Sequence, residues 1–356
     1  MTGGDGSAAL PRGVLVMIGL AAAVIVLGGM RAMSDILGSM FLALVLTIVA
    51  HPLRRWLERW MPSWAGSLVC IVVVYAGLLA LALSIVISAA RFGALLPTYE
   101  DEFRARLDDL TSWLGGLGVD QSEIDKIGSS FDLSALGGVI ESLLGGLLSV
   151  TSSLFFILTL VLFMTMDGGS FTRLLTKTRE ARPGIVEALG DFAHGTRRYL
   201  AVSTIFGFIV AVLDTIALAL LGVPLPVTWG LLAFITNYIP NIGFVIGLIP
   251  PAILALLEGG PSLMLAVIAA YCVLNVVIQT VIQPKVVGDS VGLSTTLTFV
   301  SLVVWAWVLG ALGALLAIPI TLLVKAVLVD SDPRLTWLRP LISNRDDPPA
   351  DKTPAT

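Results

Sequence analysis

The chain has 356 residues, with 21 Lys and Arg against 25 Asp and Glu, a hydrophobic fraction of 56% and a charged fraction of 13%. Soluble domains carry about 45–50% apolar and roughly 25% charged residues, so a water-soluble enzyme is excluded because this chain cannot cover itself with polar surface. A net charge of −4 without basic blocks gives no footing for a nucleic-acid partner, and two cysteines, Cys70 and Cys272, both inside apolar runs, do not make a disulfide scaffold.

Crossing a bilayer takes about 20 mainly apolar residues per helix. Apolar runs at 13–30, 36–50, 64–90, 143–166, 199–222, 227–257, 262–282 and 293–329 predict an all-α polytopic membrane protein of eight spans. The sixth and eighth runs exceed one crossing and contain Pro or Gly, so each is expected to be broken or tilted. Whether 293–329 crosses once or forms a hairpin stays open at this point.

Basic residues set the orientation. Arg54, Arg55 and Arg59, beside Trp56, Trp60 and Trp64, place the loop after the second run in the cytoplasm. The segment 91–142 has four basic and ten acidic residues, a balance of −6, and is expected outside. The segment 167–198 has six basic and four acidic residues, a balance of +2, and is expected inside, which leaves both termini cytoplasmic. The organisation expected is a three-span region 1–90, an external amphipathic segment 91–142, a fourth span 143–166, a cytoplasmic amphipathic segment 167–198, a membrane core 199–329 and a disordered tail 330–356. In the external segment Tyr99, Phe103, Leu107, Leu110, Trp113 and Leu114 recur at helical spacing, as for a helix resting on the membrane surface or binding a partner. Pro183 marks a helix start in the cytoplasmic one, with Ile185, Leu189 and Phe192 on one face.

Polar groups inside apolar runs carry the functional information. Asp214 lies deep in the fifth run, where an Asp costs about 2.5–3.5 kcal/mol; it either binds a coupling proton or cation, or pairs with a neighbouring helix. Tyr271, Asn275, Gln279 and Gln283 follow at intervals of four residues and share one face of the seventh run, lining a wet path or bonding helices together. Asn237, Pro240, Asn241 and Gly243 interrupt the sixth run, and a helix broken there would present backbone and amides at membrane depth, where transporters hold cargo; a simple proline kink is the alternative. Gly288 to Gly292 matches the serine-hydrolase elbow, but it follows a membrane helix and has no histidine on its side of the bilayer, since His51 and His194 fall inside. No nucleotide-binding or metalloprotease motif occurs, so no enzyme, cofactor or metal site is expected, only a transported H⁺ or Na⁺.

The stretch 222–327 resembles the autoinducer-2 exporter family of PerM-like permeases. The resemblance rests on Ile239-Pro240-Asn241-Ile242-Gly243, on Pro284-Lys285-Val286-Val287-Gly288 with Gly292 and Leu293, and on Gly313 through Pro319. Many members have His-Pro after the Gly-Leu, where this chain has Ser294 and Thr295. The resemblance implies an inner-membrane permease that exports a small molecule or exchanges sodium (or lithium) for protons, and that assembles as a homo-oligomer. A non-transporting membrane scaffold is the expectation of another class, with the external helices binding a partner.

Overall fold

The computed structural model describes residues 11–102, 104, 105, 112, 133–240, 242–283, 285, 293–331 and 335, and every described element is helical. In chain order these are α1 (Arg12–Ala32), α2 (Ser34–Leu57), α3 (Ser63–Leu95) with a 3₁₀ turn Leu96–Tyr99, α4 (Leu133–Ala181), α5 (Pro183–Leu220), α6 (Pro226–Thr236), α7 (Gly243–Asn275), α8 (Thr295–Leu315) and α9 (Ala317–Lys325). Wide π turns extend α7 over Val276–Ile282 and α9 over Ala326–Asp330.

The helices wear their apolar residues outward. Ile25, Phe155, Leu220 and Val227 are each more than 70% exposed, which is tolerable only where lipid replaces water. Trp56, Trp60 and Trp64 are exposed around the end of α2, the placement of an interfacial aromatic belt. Since lipid tails are as apolar as leucine, helix association here rests on close packing and interhelical polar bonds.

Five described helices are long and apolar enough to cross a membrane, or six if the bent α4 counts as one span; Val16–Ala32 is shorter. Of the eight runs expected, the three beyond these five are the shorter first one, the bent α4 and the sixth, which is divided between two helices. In α4, Leu154–Gly168 and Arg173–Ala181 meet at 65° beside the Gly168-Gly169 pair, a local weak point in any helix. The Arg54 guanidinium braces this bend from α2, donating to the Thr165 carbonyl and, at 2.8 Å, to Glu58. From Pro183, seated in the first helical turn, α5 runs unbroken through residue 198 to Leu220, so the expected segment 167–198 is divided, its first half ending α4 and its second half continuous with the fifth span. Of the external surface helix, the 3₁₀ turn at Tyr99 is described, while Phe103, Leu107, Leu110, Trp113 and Leu114 lie outside the described residues.

The sixth run does not cross as one helix. α6 has 11 residues, about 16 Å at 1.5 Å per residue, half of a bilayer core. It packs antiparallel to both neighbours. Trp229 joins Leu218 of α5 in one apolar cluster, Gly230 abuts Thr215, and Asn237 at the far end bonds to Ser203. Along the next helix, Gly247 faces Ala233, and Ala252 shares the cluster with Trp229. Residues 226–259 are therefore a re-entrant hairpin. Its tip lies 13–17 residues, about 20–25 Å, from the Leu220 end of α5.

α7 then folds in two at Gly260, whose φ of 74° is open to glycine and strained for any other residue. If the helix were straight, Gly243 and Gln279 would lie about 54 Å apart. Instead Gly243 packs on the Thr236–Asn237 backbone, and Asn237 bonds to Gln279. The arm 261–282 thus returns beside the hairpin tip, and the sixth and seventh runs are separate helices, as their Glu-Gly-Gly-Pro junction suggests.

The eighth run is a hairpin as well. Gly310 has φ 65°, and Trp305 Nε1 donates to Thr321 Oγ1 at 2.9 Å across the turn. Ser294 caps the start of α8, its hydroxyl accepting from the Leu297 amide at 3.3 Å. Ser294, one of the two residues at which this chain departs from the expected family pattern, is thereby used as a helix cap. Leu293 packs with Phe192 and Tyr199 near the N-terminal half of α5, so this second hairpin begins at the opposite end of α5 from the first. Ile239 and Ile242 of the first tip pack on the second hairpin's cluster of Leu302, Trp305, Leu316, Ala317 and Ile320.

Candidate functional site

The first hairpin tip is where polar groups converge. Asn237 Nδ2 donates to the Ser203 carbonyl at 3.0 Å, while its Oδ1 accepts from Gln279 Nε2 at 2.9 Å. Gln279 Nε2 also donates to Asn275 Oδ1 at 2.7 Å, and Asn275 Nδ2 donates to the Tyr271 carbonyl at 2.9 Å. One chain of amides therefore runs from α5, across the tip, to the arm 261–282. Asn275 is buried, whereas Asn237, Pro240 and Gln279 keep partial exposure.

This arrangement follows from the local sequence. The break after Thr236 frees carbonyls that an intact helix would pair, and unpaired groups at membrane depth cost several kcal/mol each. The Tyr238 carbonyl is taken by the Tyr199 hydroxyl at 2.9 Å, and the Tyr238 hydroxyl pairs with Thr204 Oγ1 at 2.7 Å. Gly243 is buried where a Cβ would collide with the Thr236 carbonyl, so the tight return requires glycine. Gly247 permits the close approach of α6 that its GxxxG spacing with Gly243 suggests.

Of the stripe expected on the seventh run, Tyr271, Asn275 and Gln279 are joined one to the next. Gln283 is half-buried and follows the π turns Val276–Ile282, whose wider winding moves it out of the straight line of the other three. Asn241, Pro284, Gly288 and Gly292 lie outside the described residues, as does Ser290 of the hydrolase-like motif. Lys285 is exposed, Leu293 helps to hold the base of the second hairpin, and Gly313 and Pro319 are buried within it, Gly313 against the Trp305 carbonyl.

Asp214 sits apart from the tip. It is fully buried, and neither carboxylate oxygen has a hydrogen-bond partner; the same holds for the Tyr271 hydroxyl, 1% exposed. Tyr271 packs in the apolar cluster with Leu218, one turn beyond Asp214 on α5. Among the described residues no group of three or more His, Cys, Asp or Glu forms a metal site.

Tyr199, Ser203 and Thr204, which fasten the tip to α5, were not among the residues singled out from sequence. Tyr199 and Thr204 act through hydroxyls visible on an otherwise apolar helix, whereas Ser203 acts through a backbone carbonyl that no side chain signals.

Known proteins resemble this chain over most of its length. Residues 20–331 match the family described as AI-2E family transporter. The chain is 33% identical to the AI-2 transport protein TqsA of Escherichia coli strain K12 over 325 residues, covering 89% of this chain and 92% of that protein. It is 31% identical over 319 residues to the putative transport protein YhhT of the same strain, covering 88% and 90%. A putative transport protein of Haemophilus influenzae is 28% identical over 337 residues, covering 93% and 97%. With a broken membrane helix of the kind transporters use and a family match across most of its length, this multi-pass membrane protein belongs to the AI-2E family transporters.

Proposed function

We propose that the protein carries a small polar solute across the inner membrane by secondary transport, with its pathway at the first hairpin tip. The observation that carries this reading is the amide chain Asn237–Gln279–Asn275 at a helix break inside the membrane region. Asn237 and Gln279 remain partly accessible, and each amide retains unused donor or acceptor capacity. A cargo bearing hydroxyl and carbonyl groups suits such a surface, and the printed name of TqsA makes autoinducer-2 the first solute to test. In this reading both termini are cytoplasmic, 91–142 is external, and the protein works as a homo-oligomer.

The test is uptake of labelled autoinducer-2 into proteoliposomes. Asn275→Leu and Gln279→Leu should lower flux at least tenfold at equal folded yield. Unchanged flux in both variants would remove the amide chain from the pathway. If instead the variants alter only helix association and the native protein moves no solute, a membrane scaffold gains.

A second reading, sodium (or lithium)/proton exchange, is favoured by Asp214, whose two carboxylate oxygens are buried without partners. A proton-sensitive dye inside the vesicles reports it after an imposed Na⁺ or Li⁺ gradient, with Asp214→Asn as the comparison.

A further inference from the structure

We infer that Asp214 and Tyr271 form a proton-binding site, with Asp214 held as the neutral acid in this conformation and with no place for a sodium ion. The role in a cycle rests on the solute-transport reading above and replaces sodium exchange at this carboxyl; the protonation itself rests on neither.

Geometry comes first. Asp214 is on α5 and Tyr271 on the arm 261–282, both sealed from solvent, and Tyr271 packs in the cluster with Leu218, one turn beyond Asp214. Three oxygens, two from the carboxyl and one from the phenol, have no hydrogen-bond partner. A carboxylate left ionised and unpaired in such a place carries a desolvation cost of several kcal/mol, which protonation removes. A neutral carboxyl has one O–H to give and a carbonyl to accept, and a phenol likewise gives one and accepts. The two groups are therefore complementary when the acid is protonated.

The surroundings supply no counter-charge. α6 contains no titratable side chain. The arm 243–259 has only Glu258, which is engaged by the Tyr99 hydroxyl, and the arm 261–282 offers Tyr271 and Cys272. The titratable residues of α5 itself, from Glu187 to Tyr199, are four turns or more away. α2 and α9 pack on the N-terminal half of α5, around Phe192 and Tyr199, and α3, which joins the cluster through Phe92 and Leu95, has its Arg91 exposed.

A hard cation such as sodium needs a shell of several oxygens. Asp214 and Tyr271 offer three such oxygens between them, fewer than that shell. The hydroxyl of the next residue, Thr215, is turned to the Ala211 carbonyl at 2.7 Å. A proton needs only one of the three oxygens.

Release breaks the carboxyl O–H bond, leaves the electron pair and a charge of −1 on Asp214, and gives the proton to water. The carboxylate then needs donors. Tyr271 can supply one and water the others, so release requires α5 and the arm 261–282 to part. That arm also carries Asn275 and Gln279, and the Tyr271 carbonyl accepts from Asn275. Loss of the proton thus biases the same helix that bonds to the hairpin tip, giving the ion and the solute one shared moving element.

Infrared difference spectroscopy of the reconstituted protein between mildly acidic and mildly alkaline buffer tests the site. The expected result is a protonated-carboxyl band that is lost in Asp214→Asn, displaced in frequency in Tyr271→Phe, and unchanged when choline chloride is replaced by sodium chloride at fixed pH. Absence of any band assignable to Asp214 overturns the proposal. So does a band that sodium abolishes, and a band that Tyr271→Phe leaves in place removes the pairing. Gln279→Leu should lose flux yet keep the band, so failure of the transport reading and failure of the proton site are separable. Equal elution on size exclusion verifies the fold of Asp214→Asn, and Tyr271→Phe gives an independent reading should that variant misfold.

Discussion

A re-entrant hairpin at 226–259 can be distinguished from a straight span by one cross-link. In the structure the Cβ direction of Gly247 ends 3.8 Å from the Ala233 Cβ, matching the mean Cβ separation of about 3.8 Å in disulfides. In an unbroken helix the same positions would be separated by 14 residues, about 21 Å, beyond any disulfide. The perturbation is Ala233→Cys with Gly247→Cys, on a background in which Cys70 and Cys272, the chain's two cysteines, are replaced by alanine and serine. Membrane-permeant iodine is the oxidant, because both positions are buried. Denaturation and labelling with a maleimide polymer then count free thiols on a gel. Two labels before oxidation, none after and recovery with reductant are expected, with single-cysteine variants keeping one label throughout. The Gly247→Cys side chain meets Thr236 Oγ1 at 3.0 Å, a contact relieved by a change of the Thr236 χ1 at the loss of its 3.3 Å bond to the Ala233 carbonyl. Two labels persisting after oxidation in correctly eluting protein would refute the re-entrant geometry and with it the site at the tip.

Gly243→Ala drives a methyl group into the Thr236 carbonyl and should destabilise the protein by about 1–3 kcal/mol, whereas Gly190→Ala, on an exposed turn of α5 with nothing within 4 Å, should gain up to about 1 kcal/mol; unfolding in mild detergent compares them. Ser294→Ala removes the cap of α8 and should cost about 1 kcal/mol, visible as lower thermal stability, with Ser294→Asp retaining most of it. Trp305→Phe strands the buried Thr321 hydroxyl at the second hairpin and should cost about 1–3 kcal/mol; adding Thr321→Val should restore part of the loss, and strict additivity of the two would argue that the bond contributes nothing.

Much of the site was legible in the sequence because membranes penalise polar residues so strongly that each one needs a reason. The interruption at Asn237–Gly243 and the amides at Asn275 and Gln279 were visible on that ground, and the structure joins them through Gln279. What spacing could not disclose is the path of the chain between them. The run 227–257 is apolar on both sides of that interruption, so it has the same appearance whether it kinks and crosses or descends and returns. Gly310 is similarly hidden in a run of small and apolar residues, and only its φ of 65° identifies it as a turn. Gly260, by contrast, sits in a Glu-Gly-Gly-Pro sequence that announces a turn in any environment.

The folding back has a functional logic that a straight helix would lack. A hairpin tip has two helix ends and a free connection, so its amides can change partners without melting a span. Gln279 shows what must change. Its Nε2 group donates to Asn237 on the tip and Asn275 on its own helix, so parting the tip from the arm 261–282 releases the first bond and keeps the second. A solute entering there would replace a partner already made, so its net gain per bond is modest, on the order of 1 kcal/mol. Weak, exchangeable binding of that kind favours turnover over retention. The second hairpin, entering from the other end of α5 and packed against Ile239 and Ile242, limits how far the first tip can move before its own packing is disturbed. Both hairpins pack on α5, where Asp214 is buried, so under the proton-site proposal its charge state would bear on how the two move.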